Sequence, residues 1–115
     1  MHELSIALSI VEMAQEEAER RGASAVSAVH LKLGALSGVV ADALLSSYEM
    51  AVCDTPLQGS HLLIEDAPVT VQCPDCGGPQ RVPSIQHLCC PQCGIPTERI
   101  LSGREIEVVA LEFVQ

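Results

Sequence analysis

The chain has 115 residues, 48% of them hydrophobic and only 2% aromatic, which is material for a modest aliphatic core or for a small domain carrying a smaller module. Fifteen acidic residues against six basic ones leave a formal charge of −9, which repels phosphate backbones and argues against a nucleic-acid partner. There is no run of about 20 apolar residues, so no membrane span is expected. The opening residues also lack the basic-then-apolar order of an export signal, so a cytoplasmic protein is expected.

Residues 4–21 are predicted to form a helix, with Leu4, Leu8, Val11, Ala14 and Ala18 on its apolar face and Glu12, Glu16, Glu17 and Glu19 in solvent. Arg20 and Arg21 suit the negative end of the helix dipole, and Gly22 suits the position just beyond it. In "VSAVHLKLGAL", Val29, Leu31 and Leu33 alternate with His30 and Lys32, the pattern of a half-buried strand. Ser37 is placed to cap a second helix whose apolar side is Val40, Leu44, Leu45, Tyr48 and Val52. "HLLIEDA" reads as another strand, as does "EIEVVALEFVQ", with Val109, Leu111 and Phe113 as candidate core. Cys53 ends an apolar helix and reads as a buried small hydrophobe. His30 and His61 read as surface residues.

From about Pro68 to Gly103 the composition changes: large apolar residues become scarce and five of the six cysteines appear. Two copies of Cys-Pro-x-Cys-Gly occur, "CPDCG" at 73–77 and "CPQCG" at 90–94. A two-residue gap lets two thiolates reach one ion. Proline stiffens the turn, and glycine lets backbone amides approach the sulfurs. Cys73, Cys76, Cys90 and Cys93 are therefore expected to form a closed, structural four-thiolate site, with zinc the first choice of ion and rubredoxin-like iron the second. A thiol-redox role for one CxxC leaves the other pair without a task. Cys89 and His87 lie beside the second knuckle and read as non-ligands, although exchange of Cys89 for Cys90 is conceivable. The stretch has little core of its own, so the metal is expected to fold it.

The chain opens "MHELS". One reading is an unconstrained end. The other is a chelator in which the amine of Met1 and the amide and imidazole Nδ1 of His2 give three coplanar nitrogens. A fourth position is then open to the amide of Glu3, water or a partner's ligand. The amine titrates near pH ~7.7–8.0, so a metal displaces its proton at neutral pH, and planar nitrogen donors favour Ni(II) or Cu(II) over Zn(II).

The initial Met-His-Glu, the paired knuckles, "LSGVV" opening the second helix and "GREIEVVALEF" near the end together resemble the HypA/HybF family of hydrogenase maturation factors, over essentially the whole chain. The resemblance implies an α+β fold. A small mixed sheet with two helices would form the nickel-binding domain, residues 1–68 and 104–115, and a zinc-ribbon-like four-cysteine domain would be inserted at 69–103. It implies nickel bound at Met1, His2 and Glu3, and zinc at the four knuckle cysteines. It implies a non-enzymatic metallochaperone, monomeric or weakly dimeric. Its partners would be the HypB GTPase, the [NiFe]-hydrogenase large subunit and, in some members, urease accessory proteins. The extra Cys89 departs from the pattern as "CCPQC". From the residues alone, a zinc-ribbon interaction adaptor with no nickel role and a thiol oxidoreductase remain rival readings.

Overall fold

The computed structural model describes residues 2–115. Its elements in chain order are α1 (Glu3–Arg20), β1 (Ala25–Gly34), α2 (Ala41–Ala51), β2 (His61–Ala67), β3 (Thr70–Gln72), β4 (Pro79–Arg81), β5 (Ile100–Ser102) and β6 (Ile106–Val114). They form two compact units. One comprises residues 2–31, 39–65 and 107–115; the other comprises 32–38 and 66–106. The fold is α+β, with two helices and two small sheets. No helix among the described residues is long and apolar enough to cross a membrane.

The first unit carries α1, α2 and a sheet of order β2-β1-β6. Its core is aliphatic, as the composition requires: Ala7, Ile10, Val11, Val29, Leu31, Leu44, Leu57 and Leu62, with Tyr48 as the buried aromatic. The helix face that packs differs from the sequence expectation. Leu4 and Leu8 are 44% and 51% exposed, and the buried face is Ala7, Ile10, Val11, Ala14 and Ala18. Three of these five positions are alanines, so the buried face is built largely from small side chains and the two leucines lie outside it. The C-terminus of α1 ends as expected. Gly22 takes φ +68°, Gly22 N–H donates to Glu19 O, and Ala23 N–H donates to Ala18 O, a Schellman closure.

Ser37 does not cap α2. It sits in the turn that follows β1, its N–H donating to Gly34 O (3.0 Å), and α2 starts at Ala41 with the extended Val40 as its N-cap. Leu44, Tyr48 and Val52 face the core as expected, but Val40 and Leu45 are exposed. Cys53 is exposed rather than buried. Val52 takes the inward position, and Cys53 opens the turn beyond the helix, its thiol donating to Glu49 O. In β6, Leu111 and Phe113 pack on the core, whereas Val109 is 47% exposed and Val108 packs in its place.

The second unit is a three-stranded antiparallel sheet of order β4-β3-β5, pairing Val71 with Gln80 on one side and Ile100 on the other. Its apolar content is slight: Val69, Val71 and Val82 are buried, with Leu36, Leu88 and Ile100 packed against them.

Candidate metal centre and the amino-terminal segment

The two knuckles repeat one local geometry. In the first, Gly77 N–H donates to Cys73 O (3.0 Å) with Gly77 at φ +73°; in the second, Gly94 N–H donates to Cys90 O (2.8 Å) with Gly94 at φ +77°. A side chain resists that left-handed conformation, which is why each knuckle ends in glycine. The tight turn carries the third residue's amide back over the first sulfur. Cys76 N–H donates to Cys73 Sγ (3.3 Å). The N–H of Cys93 likewise supports the Cys90 thiolate. The first knuckle follows β3, and the second is closed by Cys90 N–H donating to Ile95 O (2.9 Å).

The knuckles meet. The sulfur atoms of Cys73, Cys76, Cys90 and Cys93 all lie within 4.8 Å of one another. Cys73 and Cys93 are 3.5 Å apart, and Cys76 and Cys90 are 3.8 Å apart. A zinc–sulfur bond of about 2.3 Å gives a tetrahedral edge of about 3.8 Å, so the dimensions are those of a closed four-thiolate zinc shell. Cys73 and Cys90 are buried and Cys76 and Cys93 exposed, so the centre lies just under the surface. The thiols are already electrostatically unequal. Hydrogen bonding to Cys90 pushes Cys76 up to about 12, while the Cys93 N–H is the main influence drawing Cys90 down to about 7. A cation that replaces the shared protons removes this competition. Cys89 and His87 stand outside the four-sulfur group. Cys89 forms a β-bridge with Pro96, and His87 is exposed.

Thr97 was not singled out by its sequence context. It is buried, its hydroxyl donates to Gln72 O (2.8 Å) and its N–H donates to Leu88 O (2.9 Å). It thus ties the residue before the first knuckle to the segment around the second. A threonine two residues past a knuckle glycine-isoleucine step is the only signal, and it is a weak one.

At the other end of the chain, the proposed chelating residue Met1 lies outside the described residues. His2 is the exposed N-cap of α1: its carbonyl oxygen accepts Ile6 N–H (3.0 Å), and its imidazole makes no capping bond. Glu3 Oε2 accepts Val40 N–H (3.3 Å), and that bond is the chief cause holding its carboxyl below the ordinary range. The carboxylate therefore adds an anion at the positive end of α2, beside that of Asp42 in its own first turn. Sequence reasoning placed Glu3 beside the chelate but did not foresee this use of its side chain.

Two helices packed beside a three-stranded sheet, with a four-thiolate centre of zinc dimensions in a second unit, define a small α+β metalloprotein. Comparison with known proteins sharpens that class. The profile of the family described as hydrogenase/urease nickel incorporation, metallochaperone, hypA matches residues 1–113. A hydrogenase maturation factor HypA of Roseiflexus sp. (strain RS-1) is 49% identical over 113 residues, covering 98% of this chain and 92% of the relative. The HypA of Chloroflexus aurantiacus is 50% identical over 112 residues, covering 97% and 98%. Two solution structures share the fold at 23% identity. The nickel metallochaperone HypA from Helicobacter pylori has a TM-score of 0.69 over 99% of this chain and 98% of that one. A second HypA has a TM-score of 0.74 over 99% and 97%. The chain belongs to the HypA family of nickel-incorporation metallochaperones.

Proposed function

We propose that this chain is a non-enzymatic carrier that binds Ni(II) at Met1, His2 and Glu3 and delivers it during [NiFe]-hydrogenase maturation, with urease as a further destination. The observation that carries this reading is the family match, which spans residues 1–113 and so includes the Met-His-Glu opening. The exposed His2, whose imidazole is not spent on capping, supports it. Three planar nitrogens from Met1 and His2 hold the cargo, and the open fourth position permits exchange. The carboxylate of Glu3 anchors the first turn of α1 to α2, leaving its backbone amide as the part that adjoins the metal.

In this reading residues 1–68 and 104–115 form the nickel-binding domain. Residues 69–103 form the zinc domain, held by Cys73, Cys76, Cys90 and Cys93. The protein works in the cytoplasm as a monomer or weak dimer, with the HypB GTPase, the hydrogenase large subunit and urease accessory proteins as partners. Substitution His2→Ala tests it. The variant keeps the far-UV circular dichroism of the wild type and loses its specific nickel site in calorimetric titration; wild-type nickel affinity in the variant contradicts the reading.

A further inference from the structure

The four sulfurs of the metal centre are not equally protected. Cys73 and Cys90, which open the two knuckles, are buried, whereas Cys76 and Cys93, which close them, are exposed. Three of the four accept a backbone N–H: Cys73 from Cys76, Cys90 chiefly from Cys93, and Cys93 from Ile95. Among the hydrogen bonds of the described residues, none runs from a backbone N–H to Cys76 Sγ, whose neighbours are the other sulfurs. The chain beyond Cys76 is bare as well. Gly77 and Gly78 follow it, and a β-carbon added at either would meet no atom within 4 Å. Cys93 is followed instead by Gly94 and the half-buried Ile95. Only Cys76 therefore combines exposure, an open approach and no N–H donor. A hydrogen bond to a metal-bound thiolate draws charge off the sulfur, so the sulfur without one is the strongest nucleophile of the set.

We propose that Cys76 is an oxidation site, the point at which a neutral hydroperoxide attacks the metal centre, and that its oxidation reversibly unlocks the zinc unit. The inference rests on the zinc assignment and is independent of the nickel reading. Susceptibility of a cysteine to oxidation follows thiolate character and exposure, and Cys76 has both. The exposed Asp75 beside it repels anionic oxidants and leaves a neutral one free to approach. In the first step the Cys76 sulfur attacks a peroxide oxygen and the O–O bond breaks. The leaving hydroxide takes a proton to become water, and Cys76 becomes a sulfenic acid, oxidised by the two electrons that reduce the peroxide. In the second step another thiolate of the cluster, all of whose sulfurs lie within 4.8 Å of one another, attacks the sulfenic sulfur. A disulfide bond forms, the S–O bond breaks, and the leaving hydroxide again takes a proton to become water. Two of the four metal donors are then consumed. The sheet of this unit has only a small aliphatic cluster beneath it, so the ion and the fold are lost together. A thiol reductant returns both thiolates, and added zinc restores the unit.

The test treats the zinc-loaded, full-length protein with hydrogen peroxide. Dimedone traps the sulfenic acid, and mass spectrometry compares its yield at the four cluster cysteines. The expected result is label on Cys76 ahead of Cys73, Cys90 and Cys93. Without dimedone, zinc is released to a chromogenic chelator together with formation of a disulfide that includes Cys76, and dithiothreitol with added zinc reverses both. Two variants sharpen the test, because imidazole is a zinc ligand that can stand in for a thiolate. Cys76→His is expected to release zinc about tenfold more slowly than wild type, and Cys93→His at the wild-type rate. First label on Cys93, or equal label on all four cysteines, overturns the proposal. Zinc release with a disulfide that excludes Cys76, such as one between Cys89 and Cys90, overturns it, and so does zinc that stays bound in excess peroxide. Equal slowing in the two variants overturns it as well, by making the two exposed sulfurs equivalent. Should either variant fail to hold zinc, the labelling map of the wild-type protein decides alone.

Discussion

A β-carbon added to Gly34 would lie 2.0 Å from the carbonyl oxygen of Gly103, and 2.2 Å from its carbonyl carbon. The two glycines are the point at which the end of β1 presses against the turn between β5 and β6. Leu36 N–H donates to Gly103 O (2.7 Å), and Gly34 N–H donates to Glu105 O (2.8 Å). Gly103 itself has φ +120° and leaves no room against Val69. Because the atoms that block Gly34 are backbone, no rotamer change relieves the overlap. Gly34→Ala is expected to destabilise the zinc-loaded protein by roughly 3 kcal/mol in urea unfolding. Gly38→Ala, at φ +80° with no atom within 4 Å of the new carbon, carries only the conformational strain of about 1–2 kcal/mol.

Among the described residues, the buried cluster that packs the second unit's sheet holds three aliphatic side chains, Val69, Val71 and Val82, so the fold of this unit depends on the four sulfurs. Zinc contributes on the order of 10–16 kcal/mol in small modules of this kind. Cys76→Ser is therefore expected to lose zinc and to collapse amide dispersion in the NMR spectrum over residues 69–103. Retained zinc with an unchanged spectrum contradicts this. A strong chelator is expected to produce the same loss in the wild-type chain.

Glu105 Oε1 accepts Gly103 N–H (2.7 Å), and this bond, chiefly, lowers its carboxyl from the ordinary 4.5. A carboxyl lowered on folding contributes stability that is fully present above the unfolded value and is lost as pH falls through the folded one. Glu105→Gln retains an acceptor oxygen but does not titrate. The difference in urea midpoint between wild type and variant is expected to be constant at and above about pH 6 and to shrink steadily below about pH 4.5. A difference that does not vary with pH contradicts the assignment.

Tyr48 is 3% exposed and shares a 2.6 Å hydrogen bond with the Ser60 hydroxyl. Burial raises its phenol above the ordinary 10. Its neutral form is the one the fold favours, so its stabilising contribution is present below pH 10 and is lost as pH rises through the raised value. Tyr48→Phe is expected to cost about 1 kcal/mol at neutral pH through the lost hydrogen bond. It is also expected to remove this component of alkaline destabilisation, which urea titrations at alkaline pH read directly.

What was legible in the sequence was local. Each knuckle is five residues long, and its proline, glycine and two cysteines determine its turn without help from elsewhere. The two copies therefore predicted the four-sulfur cluster. The end of α1 was legible for the same reason, since Gly22 closes it through bonds to its own last turn. What failed depended on distant partners. Hydropathy ranks Leu4 and Leu8 above Ala7, Ala14 and Ala18, but the helix buries the face that carries the small side chains. The N–H of Val40, the N-cap of α2, finds its acceptor in the side chain of Glu3, 37 residues earlier, so the local candidate Ser37 was misleading. In β6, simple alternation pointed to Val109, whereas Val108 turns inward and Leu111 and Phe113 follow.

The most direct test of the nickel reading is a titration with Ni(II) of two zinc-loaded proteins, one beginning at Met1 and one carrying a single added residue before it. The extra residue moves the free amine away from the His2 amide and leaves every other group in place. The account predicts one tightly bound nickel with a planar-nitrogen absorption band in the first protein and none in the second. Equal binding by both, or by neither, would contradict it.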